Sequence, residues 1–140
     1  MKRKGSAVWK GELKSGRGRL STESGTLDGV SYGFDNRFEN APGTNPEELI
    51  GAAHAGCYSM ALSMILGARG LTPEMIATDA EVTLAQVEDG FAITAVHLDV
   101  TAKVPGASEA DFQEAADSAK TGCPVSKLLT ADITLDARLG

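Results

Sequence analysis

Apolar and polar positions alternate with a period of two over residues 5–13, 16–23 and 26–34, as in "SAVWKGEL", so three short strands are predicted there. Ser15-Gly16 and Ser24-Gly25 separate them, and Asp28-Gly29 is read as a tight turn of its own. "DNRFENAPGT" (35–44) reads as a polar loop. The period then changes. Asn45 fits a helix N-cap, with Pro46 at the first helical position and Glu48 three residues past the cap. The predicted helix runs to Gly67 or Gly70 and is apolar on all sides, with Leu49, Ile50, Ala53, Cys57, Met60, Ala61 and Met64 on one flank and Ala52, Gly56 and Ser63 on another. Such a helix is expected to be buried all round.

Thr72-Pro73-Glu74 is read as a short helical turn. Residues 78–104 form a hairpin by pattern: Ala80, Val82 and Leu84 alternate before Glu88-Asp89-Gly90, and Val96, Leu98, Val100, Ala102 and Val104 alternate after it. Ser108 caps a further helix that carries Phe112, Ala115, Ala116 and Ala119 on one side and stops at Gly122. Pro124 opens a last short helix, and "DITLDARL" closes the chain as a strand. The order βββ-α-(α)-ββ-α-α-β indicates an α+β fold, with mostly antiparallel sheets around a central buried helix. Its length of 140 residues suits a single domain with its own core.

Composition changes this picture little. The chain is 42% apolar and 23% charged, and its formal charge of −6 opposes a general affinity for nucleic-acid phosphates. The charge is uneven, however: residues 1–20 carry +6 and residues 21–140 carry −12. A basic arm, or a basic strand pair lying beside acidic strands, accounts for this, and the strand-like alternation favours the second. Residues 49–68 hold no Asp, Glu, Lys or Arg and match a bilayer span in length. They are only mildly apolar, and strand-like segments flank them. The chain is therefore read as a soluble, cytoplasmic protein with no membrane partner.

The candidate chemistry centres on Cys57, set in the middle of that apolar run. It is open to four readings: an apolar plug, a metal ligand, half of a disulfide, or a nucleophile. Buried without polar neighbours, it would stay a protonated thiol. Two features bear on it. Cys123, in "TGCPVSK", precedes the proline that starts a helix, near exposed N–H groups that stabilise a thiolate. Arg37 is a permanent cation among Asp35, Glu39, Glu47 and Glu48, with Glu47 its natural bidentate partner; a plain surface ion pair is the alternative. His54 shares a helix face with Cys57, so a Cys–His dyad or metal pair competes with a packed histidine. His97 is the second histidine, and two cysteines make neither a disulfide scaffold nor a four-ligand zinc site.

"RFENAPGTNPEELIGAAHAGCYSMALS", together with "GCPVSKLL", "ITLDARL", "STESG", "YGF" and "DGFAIT", closely resembles the OsmC branch of the OsmC/Ohr thiol peroxidases over nearly the whole chain. The resemblance implies an enzyme of oxidative and osmotic stress defence that reduces organic hydroperoxides with cysteine thiols and no metal, haem or flavin. It makes Cys57 the peroxidatic cysteine, Cys123 the resolving one, Arg37 the activator of the thiolate and Glu47 the residue that orients Arg37. It also implies an intertwined homodimer with active sites at the interface, regenerated by an external dithiol. Local dipole arguments alone would have named Cys123 as the more acidic thiol. Two other readings use the same residues: general disulfide exchange, redox sensing or a Cys57–His54 dyad, and a non-catalytic dimeric binding protein.

Overall fold

A computed structural model of the protein describes every residue except Asn40. The chain forms two compact units, residues 1–49 and 50–140. The first holds the strands β1 (Gly5–Lys10), β2 (Arg17–Thr22) and β3 (Val30–Tyr32) and the short helix α1 (Phe34–Phe38). Helix α2 (Pro46–Ala68) opens in it and runs on through the second. The second unit continues with β4 (Met75–Val87), β5 (Gly90–Lys103), α3 (Glu109–Gly122), α4 (Pro124–Leu128) and β6 (Asp132–Leu139).

In the first unit β1, β2 and β3 form an antiparallel sheet in sequence order, with Lys10 opposite Arg17 and Gly18 opposite Tyr32. Lys10, Arg17 and Arg19 of the basic segment thus lie in a strand pair, whereas Lys2, Arg3 and Lys4 precede β1. Gly18 is required here: a Cβ on it would lie 2.1 Å from the Tyr32 ring, whose centre is 5.6 Å from that of Trp9 in a tilted contact. The third strand is shorter than its alternation predicts. Residues before it close onto β2 through side chains, with the Gly29 N–H donating to Ser21 Oγ (2.9 Å) and the Leu27 N–H to Thr22 Oγ1 (3.1 Å). The predicted loop 35–44 also needs correction, because Phe34–Phe38 is helical. Phe34 and Phe38 stack one turn apart at 4.7 Å, an i,i+4 contact that the Asp and Asn between them mask in sequence. Asn40, within that predicted loop, lies outside the described residues.

In the second unit β4 and β5 pair antiparallel, with a register shift at Thr83/Leu84, and β6 lies parallel to β5. A parallel neighbour needs a long crossover, which α3 and α4 supply. Val96, Leu98, Val100 and Ala102 of β5 are fully buried against Tyr58, Leu62 and Leu66 of α2 and Phe112, Ala115 and Ala119 of α3. Each of the large side chains among them contributes about 1.5–3 kcal/mol on burial. Helix α2 starts as its cap predicts, the Glu48 N–H donating to Asn45 Oδ1 at 2.8 Å. It approaches β4 so closely that a Cβ on Gly51 would lie 2.9 Å from the Ala80 carbonyl oxygen.

Two expectations fail in this unit. Thr72-Pro73-Glu74 is not helical: the Glu74 N–H is taken by the Lys103 carbonyl (2.8 Å), which draws the segment into the sheet ahead of β4. Nor is α2 buried all round. Its His54, Tyr58, Leu62 and Leu66 face is sealed, whereas Met60 and Met64 are 77% and 70% exposed. A sheet covers one side of a helix, and the uniform composition of α2 does not say which side or how many.

Candidate functional site

Cys57 sits midway along α2, partly buried at the edge of the core, and Cys123 is fully buried at the junction of α3 and α4. Cys123 ends one helix and starts the next: its N–H donates to the Ala119 carbonyl (3.0 Å), and its own carbonyl accepts from Lys127 N–H (3.1 Å). With Pro124 at the first helical position, this junction turns the side chain back onto α2. The two sulfurs, 66 residues apart in the chain, lie 2.8 Å apart as free thiols.

Their environments differ. Burial, and then the neighbouring Cys123, push the Cys57 thiol above its ordinary pKa, against a smaller opposing pull from the Val125 N–H. Cys123 is buried as well, which alone would raise it. The Cys57 thiol, the N–H groups of Ser126 and Val125 and the Ser126 hydroxyl together outweigh burial and hold Cys123 below its ordinary value. The pair therefore loses its first proton most readily from Cys123, as the helix-start argument expects.

Arg37 and Glu47 meet in the first unit. Arg37 Nε donates to both carboxylate oxygens (3.1 and 3.2 Å) and Nη2 donates to Oε1 (2.7 Å). This is the forked geometry rather than a loose surface contact. The Glu47 side chain is only 12% exposed, and the guanidinium also lies 5.5 Å from the Phe38 ring centre. Beside it is a cavity of about 300 Å³ whose walls include Trp9, Tyr32, Phe34, Phe38 and Pro46. Arg37 is the charged group on an otherwise apolar and aromatic lining.

The histidines go separate ways. His54 is fully buried, with Nε2 2.8 Å from Ser126 Oγ and Nδ1 without a partner among the described residues, so it makes no hydrogen-bonded dyad with Cys57. His97 pairs across strands with Thr134 Oγ1 (2.6 Å) and Asp136 Oδ2 (3.3 Å). Sequence reasoning missed Ser126. Its position three residues after Cys123, on one face of a helix start, was the available signal.

The family model for OsmC-like protein matches residues 38–138. The chain belongs to that family. Among curated relatives, it is 54% identical over 137 residues to the Peroxiredoxin OsmC of Escherichia coli, covering 98% of this chain and 96% of that one. It is 31% identical over 98 residues to the Organic hydroperoxide resistance protein of Xanthomonas axonopodis pv. citri, covering 69% and 67%. Solved structures share the fold. An OsmC-like protein from Vibrio cholerae aligns with a TM-score of 0.79 at 15% identity, covering 98% of this chain and 99% of its own. The organic hydroperoxide resistance protein OhrB of Bacillus subtilis aligns with a TM-score of 0.69 at 21% identity, covering 98% of each chain.

Proposed function

We propose that this protein is a two-cysteine thiol peroxidase that reduces organic hydroperoxides to alcohols. The observation that carries the reading is the 2.8 Å approach of two free thiols with unlike acidities. The names of its relatives, a peroxiredoxin and an organic hydroperoxide resistance protein, support it.

Cys57 is the attacking thiol in this mechanism. In the singly ionised pair its proton passes to Cys123 across the short S···S gap, and the Cys57 thiolate attacks the distal peroxide oxygen. The O–O bond breaks, Cys57 becomes a sulfenic acid, and the alkoxide takes up a proton to leave as alcohol. Arg37, oriented by Glu47, steadies the negative charge on the thiolate and the departing alkoxide. The apolar cavity beside Arg37 suits the alkyl part of the substrate. The Cys123 sulfur then attacks the Cys57 sulfenic sulfur. An S–S bond forms, the S–O bond breaks, and the Cys123 proton leaves with the oxygen as water. An external dithiol restores both thiols by exchange.

The working form in this reading is a cytoplasmic homodimer with its active sites at the subunit interface. The exposed apolar face of α2, with Met60 and Met64, supports a partner, and two free cysteines suit a reducing compartment.

The test is the mass of the reduced protein after one equivalent of cumene hydroperoxide. Loss of two hydrogens, with a peptide linking Cys57 to Cys123, is expected. An unchanged mass with the hydroperoxide unconsumed overturns the reading. Cys57→Ser should abolish turnover, and Cys123→Ser should stop after one reducing event with a sulfenic acid on Cys57.

A further inference from the structure

His54 and Ser126 take no part in the chemistry described so far, yet both are buried and their side chains meet 72 residues apart. The protonation of the pair follows from its surroundings. His54 Nδ1 is buried without a partner among the described residues, and a bare lone pair is cheaper to strand than an N–H. The imidazole proton therefore sits on Nε2, pointing at Ser126 Oγ 2.8 Å away. Burial lowers the His54 pKa, so the ring is neutral. An Oγ that accepts from His54 is left with its own proton to donate elsewhere, and Ser126 lies three residues, about one helical turn, after Cys123.

We propose that His54 and Ser126 are positioning residues for Cys123: the His54 Nε2–H holds the Ser126 oxygen, which aims the serine hydroxyl proton at the Cys123 sulfur and stabilises its thiolate. The role assigned to Cys123 in the cycle rests on the peroxidase reading; the hydrogen-bond relay does not. A serine donor bears on one step of that cycle. It makes Cys123 the better leaving group when the external dithiol opens the disulfide, so the reductant bonds to the Cys57 sulfur, which is the more accessible of the two. In that exchange the reductant's thiolate forms the new S–S bond, the Cys57–Cys123 bond breaks, and Cys123 departs as thiolate.

The experiment is a thiolate titration of the reduced protein by ultraviolet absorbance, which needs no hydroperoxide and is independent of the peroxidase reading. Of the groups that titrate or carry charge, Cys57 on α2 meets Cys123, Lys127 follows Ser126 on α4, and Lys120 and Asp132 line a cavity with Ser126. A Cys57→Ser background removes the competing thiol. In that background Ser126→Ala should raise the Cys123 midpoint by about one pH unit, the value of one lost charge-assisted hydrogen bond, or a roughly tenfold smaller thiolate fraction at neutral pH. His54→Leu should move it the same way. His54→Gln, which keeps an N–H donor, should return it close to the parent value. With both cysteines present, Ser126→Ala should also slow reduction of the disulfide by dithiothreitol severalfold. A folded Ser126→Ala protein whose Cys123 titrates like the parent overturns the proposal. So does a His54→Gln protein as shifted as His54→Leu. Should the leucine variant fail to fold, the serine and glutamine variants decide the matter.

Discussion

The carboxylate of Glu47 shares the Arg37 Nε–H between its two oxygens and accepts a second donor, Nη2, at 2.7 Å. Two donors on one carboxylate, the Nε–H shared between both oxygens and an Nη2–H on Oε1, fix the guanidinium plane. Glu47 can do this because the Asn45 cap and Pro46 begin α2 just before it, which places the side chain on the first helical turn. The pair is a device for orientation more than for stability, since partly exposed ion pairs contribute about 0–1 kcal/mol.

That distinction yields a prediction. Arg37→Ala should slow the peroxide step about a hundredfold, the scale of losing one donor to a developing oxyanion, with a thermal midpoint almost unchanged. Arg37→Lys keeps the charge but not the fork and should fall between. Stopped-flow consumption of cumene hydroperoxide, run beside thermal melts, measures both. A variant that loses stability and activity in parallel would show that the pair is structural.

Gly51 marks where α2 presses on β4. Alanine there would put its Cβ 2.9 Å from the Ala80 carbonyl oxygen, a backbone atom held in the sheet. Overpacking of this kind costs about 1–3 kcal/mol, more than the roughly 1 kcal/mol that alanine gains over glycine inside a helix. Gly51→Ala should therefore lower stability in urea unfolding. A more stable variant would mean that the helix and strand separate freely at that point.

His54 predicts a pH dependence of folding. Burial depresses its native pKa, so on acidification the unfolded chain takes up a proton that the native state resists. The stability from neutral His54 is complete above the unfolded value of about 6.5 and is lost as pH falls toward the depressed native value. Thermal midpoints of the wild type and His54→Gln, compared at about pH 7.5 and about pH 5, isolate this from the carboxylates. The wild type should lose more than the variant. Equal losses would mean that the buried ring protonates without cost.

Much of this architecture was legible in the chain. Period-two alternation located β5, whose Val96, Leu98 and Val100 are fully buried, and side-chain caps located the starts of α2 and α3. Local rules failed where a distant group made the decision. The Glu74 N–H was claimed by Lys103, 29 residues on, so a segment with helix-start residues became extended. Helix α1 was hidden because one turn held by a Phe34–Phe38 stack leaves no periodic trace.

By itself the sequence determined most of the elements, the starts of α2 and α3, and which residues had chemistry worth bringing together, because caps, alternation and charge act over one or two turns of chain. Only the tertiary structure decided that β6 runs parallel to β5, that Met60 and Met64 face outward, and that Cys57 meets Cys123 while His54 meets Ser126. Those outcomes depend on how a helix lands on a sheet. Contacts across 66 and 72 residues are set by packing of the whole core, which no local pattern encodes.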